Sequence, residues 1–191
     1  EIQPKDLLPA QIKARLGSPW IPAGTIDQFA AELFKLPVED SIQVVYIPQS
    51  STWAVDEGTN RWKLSDNIGN TKTWGTDRYS ATQIISDTLN HKLPTVYDRS
   101  AGEAVVNKAE TEAARDKQEK IKERFQKWVL EDHARAAELA SIYNRDFNNI
   151  VLRTYDGKHL TLPGANRIIF DKLRKHQKNG IFRGLQGKNV L

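Results

Sequence analysis

Ile121-Lys122-Glu123-Arg124-Phe125-Gln126-Lys127-Trp128-Val129-Leu130-Glu131 runs directly into Asp132-His133-Ala134-Arg135-Ala136-Ala137-Glu138-Leu139-Ala140-Ser141-Ile142-Tyr143-Asn144. In the first half Ile121, Phe125, Trp128 and Val129 recur three and four apart, which is one stripe of a helix. In the second half Ala136, Leu139, Ala140, Ile142 and Tyr143 do the same. Two amphipathic helices with almost nothing between them predict a long helical hairpin over residues 101–149. Upstream, Glu112 to Lys120 is almost wholly charged or small. The sequence therefore predicts one helix from Val105 to about Glu131, its first half exposed and its second half packed. Asp116–Lys120 and Glu123–Lys127 are supportive i,i+4 pairs and Glu119–Glu123 a like-charge pair. A solvated spacer helix is the plain reading of that polar half. A coiled contact with another domain is the sharper one.

Outward from the hairpin the pattern becomes mixed. Pro9 to Arg15 reads as a short helix stopped by Gly17 and Pro19. Thr25 reads as the cap of a helix over Ile26–Leu36, with Ile26, Phe29, Ala30, Leu33 and Phe34 inward and Pro37 ending it. Ile42–Ile47 is a β-branched run and predicts a strand. Thr52–Val55 and Arg61–Leu64 read as strands around an Asp56–Asn60 turn. Residues 65–73 read as a loop. Ser80 reads as the cap of a helix through Leu89, with Ile84, Ile85 and Leu89 inward, and Thr95–Tyr97 as a short strand. Asp156-Gly157 is a two-residue hairpin signal, with strands at Val151–Tyr155 and Lys158–Leu162 and a close at Pro163-Gly164. The final helix begins near Asp171. The fold class is α+β: several helices, including the long hairpin, packed with a small antiparallel sheet. The division read from the sequence is a mixed α/β part (1–100), the helical hairpin (101–149), and a β-hairpin with a basic helix (150–191).

Composition excludes several classes. With 39% apolar and 27% charged residues, the chain is ordinary for a globular protein. It has no cysteine, so no disulfide frame and no thiolate metal site, and it fits a reducing cytosol. No apolar run approaches the ~20 residues that span a bilayer, and no signal peptide opens the chain. Methionine is absent, position 1 included, so Glu1 reads as a trimmed end. His91, His133, His159 and His176 show no ligand spacing, and no metal is expected. No nucleophile elbow and no triad is marked. Gly187-Lys188 is followed by Asn189 and lacks the glycine frame of a phosphate loop, so it reads as a surface turn.

Charge is uneven. Residues 167–191 hold Arg167, Lys172, Arg174, Lys175, Lys178, Arg183 and Lys188 against Asp171, a net +6, which leaves −2 for residues 1–166 of the total +4. Such a local footprint suits phosphate; a soluble basic helix without a ligand is the other reading. Trp53, Trp62 and Trp74 lie among Arg61, Lys63, Lys72 and Arg78. Aromatics interleaved with cations can stack bases, and they can equally fill a small sheet's core. Asp77–Arg78 reads as a structural turn pair, or as a contact with DNA or a neighbouring domain.

Two kinds of motif carry a resemblance. Leu173-Arg174-Lys175-His176-Gln177, followed by an amphipathic helix, resembles the start of superfamily-2 helicase motors, especially the Swi/Snf-like branch. Leu8–Pro22, Trp74–Ala81, Tyr143–Ile150 and Tyr155–Leu160 resemble very large proteins of phages and bacterial mobile elements. Those proteins join an adenine-specific DNA methyltransferase to a Swi/Snf-like helicase, and include phage antirestriction proteins of the DarB type. The resemblance implies a connector upstream of the motor, in a cytoplasmic, phage- or mobile-element-encoded protein of bacteria. It implies that Gln177 reads the adenine edge of ATP with Arg174 beside it, and that Asn189-Val190-Leu191 starts the strand before the phosphate loop. The segment itself lacks the methyltransferase tetrad and any glycine-rich turn for a methyl donor, so no cofactor is expected here. ATP with Mg and S-adenosylmethionine belong to the parent.

The expected function is a non-catalytic connector that guides DNA, its partners being DNA and the flanking methyltransferase and helicase domains. The nucleic-acid contacts are expected at Arg167, Lys172, Lys175, Lys178, Arg183, Lys188, Trp74 and Arg78. The alternative is a protein-interaction or structural module with no DNA affinity of its own.

Overall fold

The structure is a computed structural model, and it describes residues 4–58, 61–100, 103–151, 154–161 and 163–186. The α+β class holds. In chain order come α1 (Ala23–Phe34), β1 (Gln43–Ile47), β2 (Thr52–Asp56), α2 (Arg61–Ser65), α3 (Ala81–Leu89), β3 (Tyr97–Ser100) and β4 (Glu103–Val106). The long α4 (Lys108–Glu131), α5 (His133–Asp146), α6 (Arg167–Lys172) and α7 (Lys175–Gln186) follow. Two compact units result: Lys5–Asn149, and Ile150–Leu191 with Glu1–Pro4.

In Lys5–Asn149 one hydrophobic core runs from Ala14 to Leu139, so residues 1–100 and 101–149 share it. α1 buries Ile26, Phe29, Ala30, Leu33 and Phe34, the face read from spacing. Its start lies at Ala23 after Pro22, so Thr25 sits inside the helix and does not cap it. β1 and β2 pair antiparallel with Val44 opposite Val55 and Tyr46 opposite Trp53. These four side chains turn inward, Tyr46 and Trp53 with ring centroids 5.0 Å apart. Asp27 on α1 accepts from the Val44 N–H at 2.8 Å. Burial pushes the Asp27 carboxyl above its ordinary value, and that hydrogen bond opposes the rise. Ser80 caps α3 as read, in a reciprocal box with Gln83.

α4 carries the fold. Its buried residues are Thr111, Ala114, Gln118, Ile121, Phe125, Trp128 and Val129. The first half was expected to stand exposed, but the inward stripe is continuous. Small and amide side chains pack there in place of large apolar ones. Thr111 bonds the Val96 backbone, and Gln118 donates to Thr88 Oγ1 and Lys92 O. At the far end Phe29 meets Phe125 edge-on at 5.0 Å and Trp128 at 5.4 Å. Trp128 Nε1 donates to Glu32 at 2.5 Å, and the Arg135 guanidinium lies 3.4 Å from the Trp128 ring centroid.

Other readings are corrected. Arg61–Leu64 is not a strand: it lies in α2, because β2 finds its partner in β1 across Pro48–Ser51. Pro9–Arg15 gives only a 3₁₀ turn at Pro9–Gln11. The loop at 65–73 contains a π turn at Gly69–Thr73. Val105 belongs to β4, and Asn107 caps α4.

Asp156-Gly157 does not turn a hairpin. Asp156 caps a 3₁₀ turn at Gly157–His159, and the described residues of Val151–Leu162 form no strand. The final helix is split into α6 and α7 at Leu173-Arg174. Lys188, the Gly187-Lys188 pair, and Asn189-Val190-Leu191 lie outside the described residues, as do Leu152, Arg153 and Leu162.

Candidate nucleic-acid interface

Arg167 and Lys172 sit on α6 and Lys175, Lys178 and Arg183 on α7, with Arg174 between the two helices. Asn166 starts α6, its side chain accepting from the Ile168 N–H at 3.0 Å. α7 is held by the Gly157–His159 turn. Asn179 Oδ1 accepts from the Gly157 N–H at 2.9 Å. A Cβ at Gly157 would run into the Lys178 carbonyl, so the glycine serves close approach of two backbones. Phe182 packs edge-on to His159 at 4.7 Å and to Tyr155 at 6.3 Å.

That docking uses one face of α7 and leaves cations outside it. Arg167, Lys172, Arg174, Lys175 and Arg183 are exposed, and Lys178 is half-buried with a partner. The Arg183 guanidinium lies 5.9 Å from the Tyr155 ring. Over residues 167–186 six cations stand against Asp171, a net +5. Asp171 is the one acid in that stretch, so the local field is positive.

Gln177 and Arg174 meet at the start of α7. Gln177 Oε1 accepts from the Arg174 backbone N–H at 2.8 Å. Arg174 is thus the residue before the helix, and Gln177 reaches back from its third position, half of a capping box. The Gln177 amide nitrogen has no partner among the described residues, and both side chains are exposed.

Trp74 and Arg78 lie in Lys5–Asn149. Arg78 ion-pairs with Asp98 and donates to the Tyr97 carbonyl at 2.8 Å, tying its turn to β3. The Arg78 hydrogen bond holds the Asp98 carboxyl below its ordinary value. Lys72 pairs with Asp77 at 2.5 Å. These contacts fit the reading of Asp77–Arg78 as a structural turn pair. Trp74 is half-buried against the core and lines a groove of about 280 Å³ with Lys35 and Arg124. Trp53 is buried, and Trp62 is 64% exposed. Sequence reading missed Lys35 and Arg124 as neighbours of Trp74, because they come from α1's end and the second half of α4. Among the described residues no group of three or more His, Asp or Glu is placed to hold a metal. No described helix is long and apolar enough to cross a membrane.

The family model described as "Domain of unknown function (DUF8437)" matches residues 15–149, and the chain belongs to that family. No curated protein and no solved structure matches the chain. The matched span falls within the Lys5–Asn149 unit; the basic helices lie beyond it.

Proposed function

We propose that the chain is a non-catalytic connector that guides DNA, its α6–α7 region touching the phosphate backbone. The net +5 over residues 167–186, with five of six cations exposed, carries this reading. Phosphate contacts position a protein on DNA without reading its sequence. The resemblance of the Leu173–Gln177 motif and of four further stretches to methyltransferase–helicase fusions supports the same reading. The module then lies between an adenine-specific methyltransferase and an ATP-driven motor acting on phage or plasmid DNA in the bacterial cytoplasm. ATP with Mg and S-adenosylmethionine are the neighbours' cofactors. Gln177 would offer its amide to the adenine edge once a phosphate loop adjoins it.

The test is binding of the full chain to a short labelled duplex across salt concentrations, beside a variant with Arg167, Lys172 and Lys175 changed to Ala. Every phosphate that a cation no longer neutralises lowers the salt slope by about 0.9, so a flatter slope and weaker binding are expected. Absence of binding at low salt, or an unchanged slope, sinks the proposal. The rival reading is a protein-interaction or structural module. Ile168 and Ile169, 68% and 62% exposed on α6, favour it, since paired apolar residues at a surface suit a protein contact.

A further inference from the structure

Within Lys5–Asn149 a cavity of about 450 Å³ opens between three pieces of chain. Its size lies in the range of small-molecule sites. Arg15 comes from the segment before α1, His91 and Lys92 from the turn after α3, and Gln118, Glu119, Lys122 and Glu123 from α4. The carboxylates are thus all on α4, and Arg15 and Lys92 come from the other walls. Lys122 is taken by Glu119 at 2.8 Å. Arg15, Lys92 and Glu123 form no ion pair among the described residues. Opposite charges line one cavity without closing on each other.

Behind the same wall, closed off from the cavity, lies an orphan acceptor. Gln118 is 1% exposed. Its Nε2 donates to Thr88 Oγ1 at 3.1 Å and to Lys92 O at 2.9 Å. The Thr88 hydroxyl donates to Ile84 O at 2.6 Å, so towards Gln118 it accepts, and a carbonyl can only accept. The amide cannot be turned over. Its Oε1 is therefore a buried acceptor with no donor among the described residues, a state native proteins rarely leave unanswered. His91 shapes this arrangement. It takes φ +57°, and Lys92 N then reaches back to Asp87 O at 2.7 Å. That turn sets the Lys92 carbonyl on Gln118 and brings Lys92 to the cavity.

We propose that this cavity binds a small zwitterion, its acidic end on Arg15 and Lys92 and its amino group on Glu123. A ligand with both charges complements both walls, whereas one with a single charge leaves the other wall unmatched.

Thermal unfolding of the full chain with a ladder of glycine, 4-aminobutyrate and 6-aminohexanoate tests this and reads the charge spacing. Hexanoate and hexylamine at the same ionic strength are the single-charge controls. At ten times its dissociation constant a bound ligand raises Tm by roughly 3–6 °C for a chain of this size. At least one rung is expected to do so by about 10 mM, and the controls are not. Arg15→Ala and Glu123→Gln, both at exposed positions, should each remove most of that shift and leave the ligand-free Tm nearly unchanged. A flat ladder overturns the proposal. So does an equal shift with hexanoate or hexylamine, or a shift that survives when Arg15→Ala and Glu123→Gln are combined in one chain.

Discussion

Lys35 ends α1 with φ +54°. Its N–H bonds Glu32 O at 3.1 Å, and the Leu36 N–H bonds Ala31 O at 3.0 Å. This is a Schellman close, which ordinarily places glycine at the left-handed residue. His91 closes α3 in the same way. A residue with a Cβ pays roughly 1 kcal/mol for that conformation. Lys35→Gly should therefore stabilise the protein by up to about 1 kcal/mol, or ~2–4 °C in Tm. A drop in Tm would mean that the Lys35 side chain contributes more than its strain costs. His91 bears the same strain at the wall of the charged cavity, where strained residues often serve a site. Gly17 and Gly75 show the opposite case. Gly17 has φ +93°, and a Cβ there would stand 2.8 Å from Leu89 O. At Gly75 a Cβ would run into the Asn70 carbonyl and stand 2.7 Å from Ala81 N. The Trp74–Ala81 stretch is thus fixed by backbone contact, and Asn70 Oδ1 extends the lock by accepting from Thr82 N at 2.9 Å.

At the scale of elements, the joint between α4 and α5 is a single residue. Asp132 ends one helix in an extended conformation and caps the next, accepting from Ala134 N at 2.7 Å and Arg135 N at 3.2 Å. The Arg135 and Ala134 backbone bonds hold its carboxyl below the ordinary value. A depressed folded-state pKa stabilises the fold above the unfolded value, near 4, and that part is lost as pH falls through the folded value. Asp132→Ala should thus lower Tm at pH 6, and the gap to the parent chain should narrow below about pH 4. A gap unchanged down to pH 2 would show that the charge at this joint is immaterial.

The place of this joint was legible from the two periodic stripes that meet there, although Asp132 read as the start of the second helix and not as its cap. The α1 face, the β1 strand and the Ser80 cap were legible for the same reason: period and cap chemistry are local. α2 was not, since Arg61–Leu64 alternates for only four residues and its true state depends on β2 pairing with β1. The buried half of α4 was hidden by Thr111, Ala114 and Gln118, which do not look apolar yet pack or bond inward. Of the candidate site, the basic cluster is visible as composition, because charge needs no fold to be counted. The neighbours of Trp74 and the walls of the charged cavity come from segments far apart in sequence, and only the fold brings them together.

At the scale of the molecule, Lys5–Asn149 is closed on itself by its own ends. Asn144 Oδ1 accepts from Leu7 N at 2.9 Å and its Nδ2 donates to Leu7 O at 3.0 Å. Asn148 Nδ2 donates to Lys5 O at 3.0 Å. Trp20 packs against Tyr143 at 5.3 Å and Phe147 at 6.5 Å. Two of the stretches that carry the family resemblance, Leu8–Pro22 and Tyr143–Ile150, therefore meet in space. The core lies wholly inside this unit, so a fragment of residues 5–149 should unfold in one cooperative transition. The family match begins at residue 15, downstream of the Leu7 contacts and of Ala14, which packs in the core. A fragment of residues 15–149 leaves the Asn144 amide without its backbone partners, at a cost of about 1–3 kcal/mol. Its Tm should fall several degrees below that of 5–149, and Asn144→Ala in the longer fragment should reproduce much of that fall. Equal Tm values for the two fragments would show that the N-terminal clasp contributes nothing. A broad, uncooperative melt of 5–149 would show that the core needs the rest of the chain.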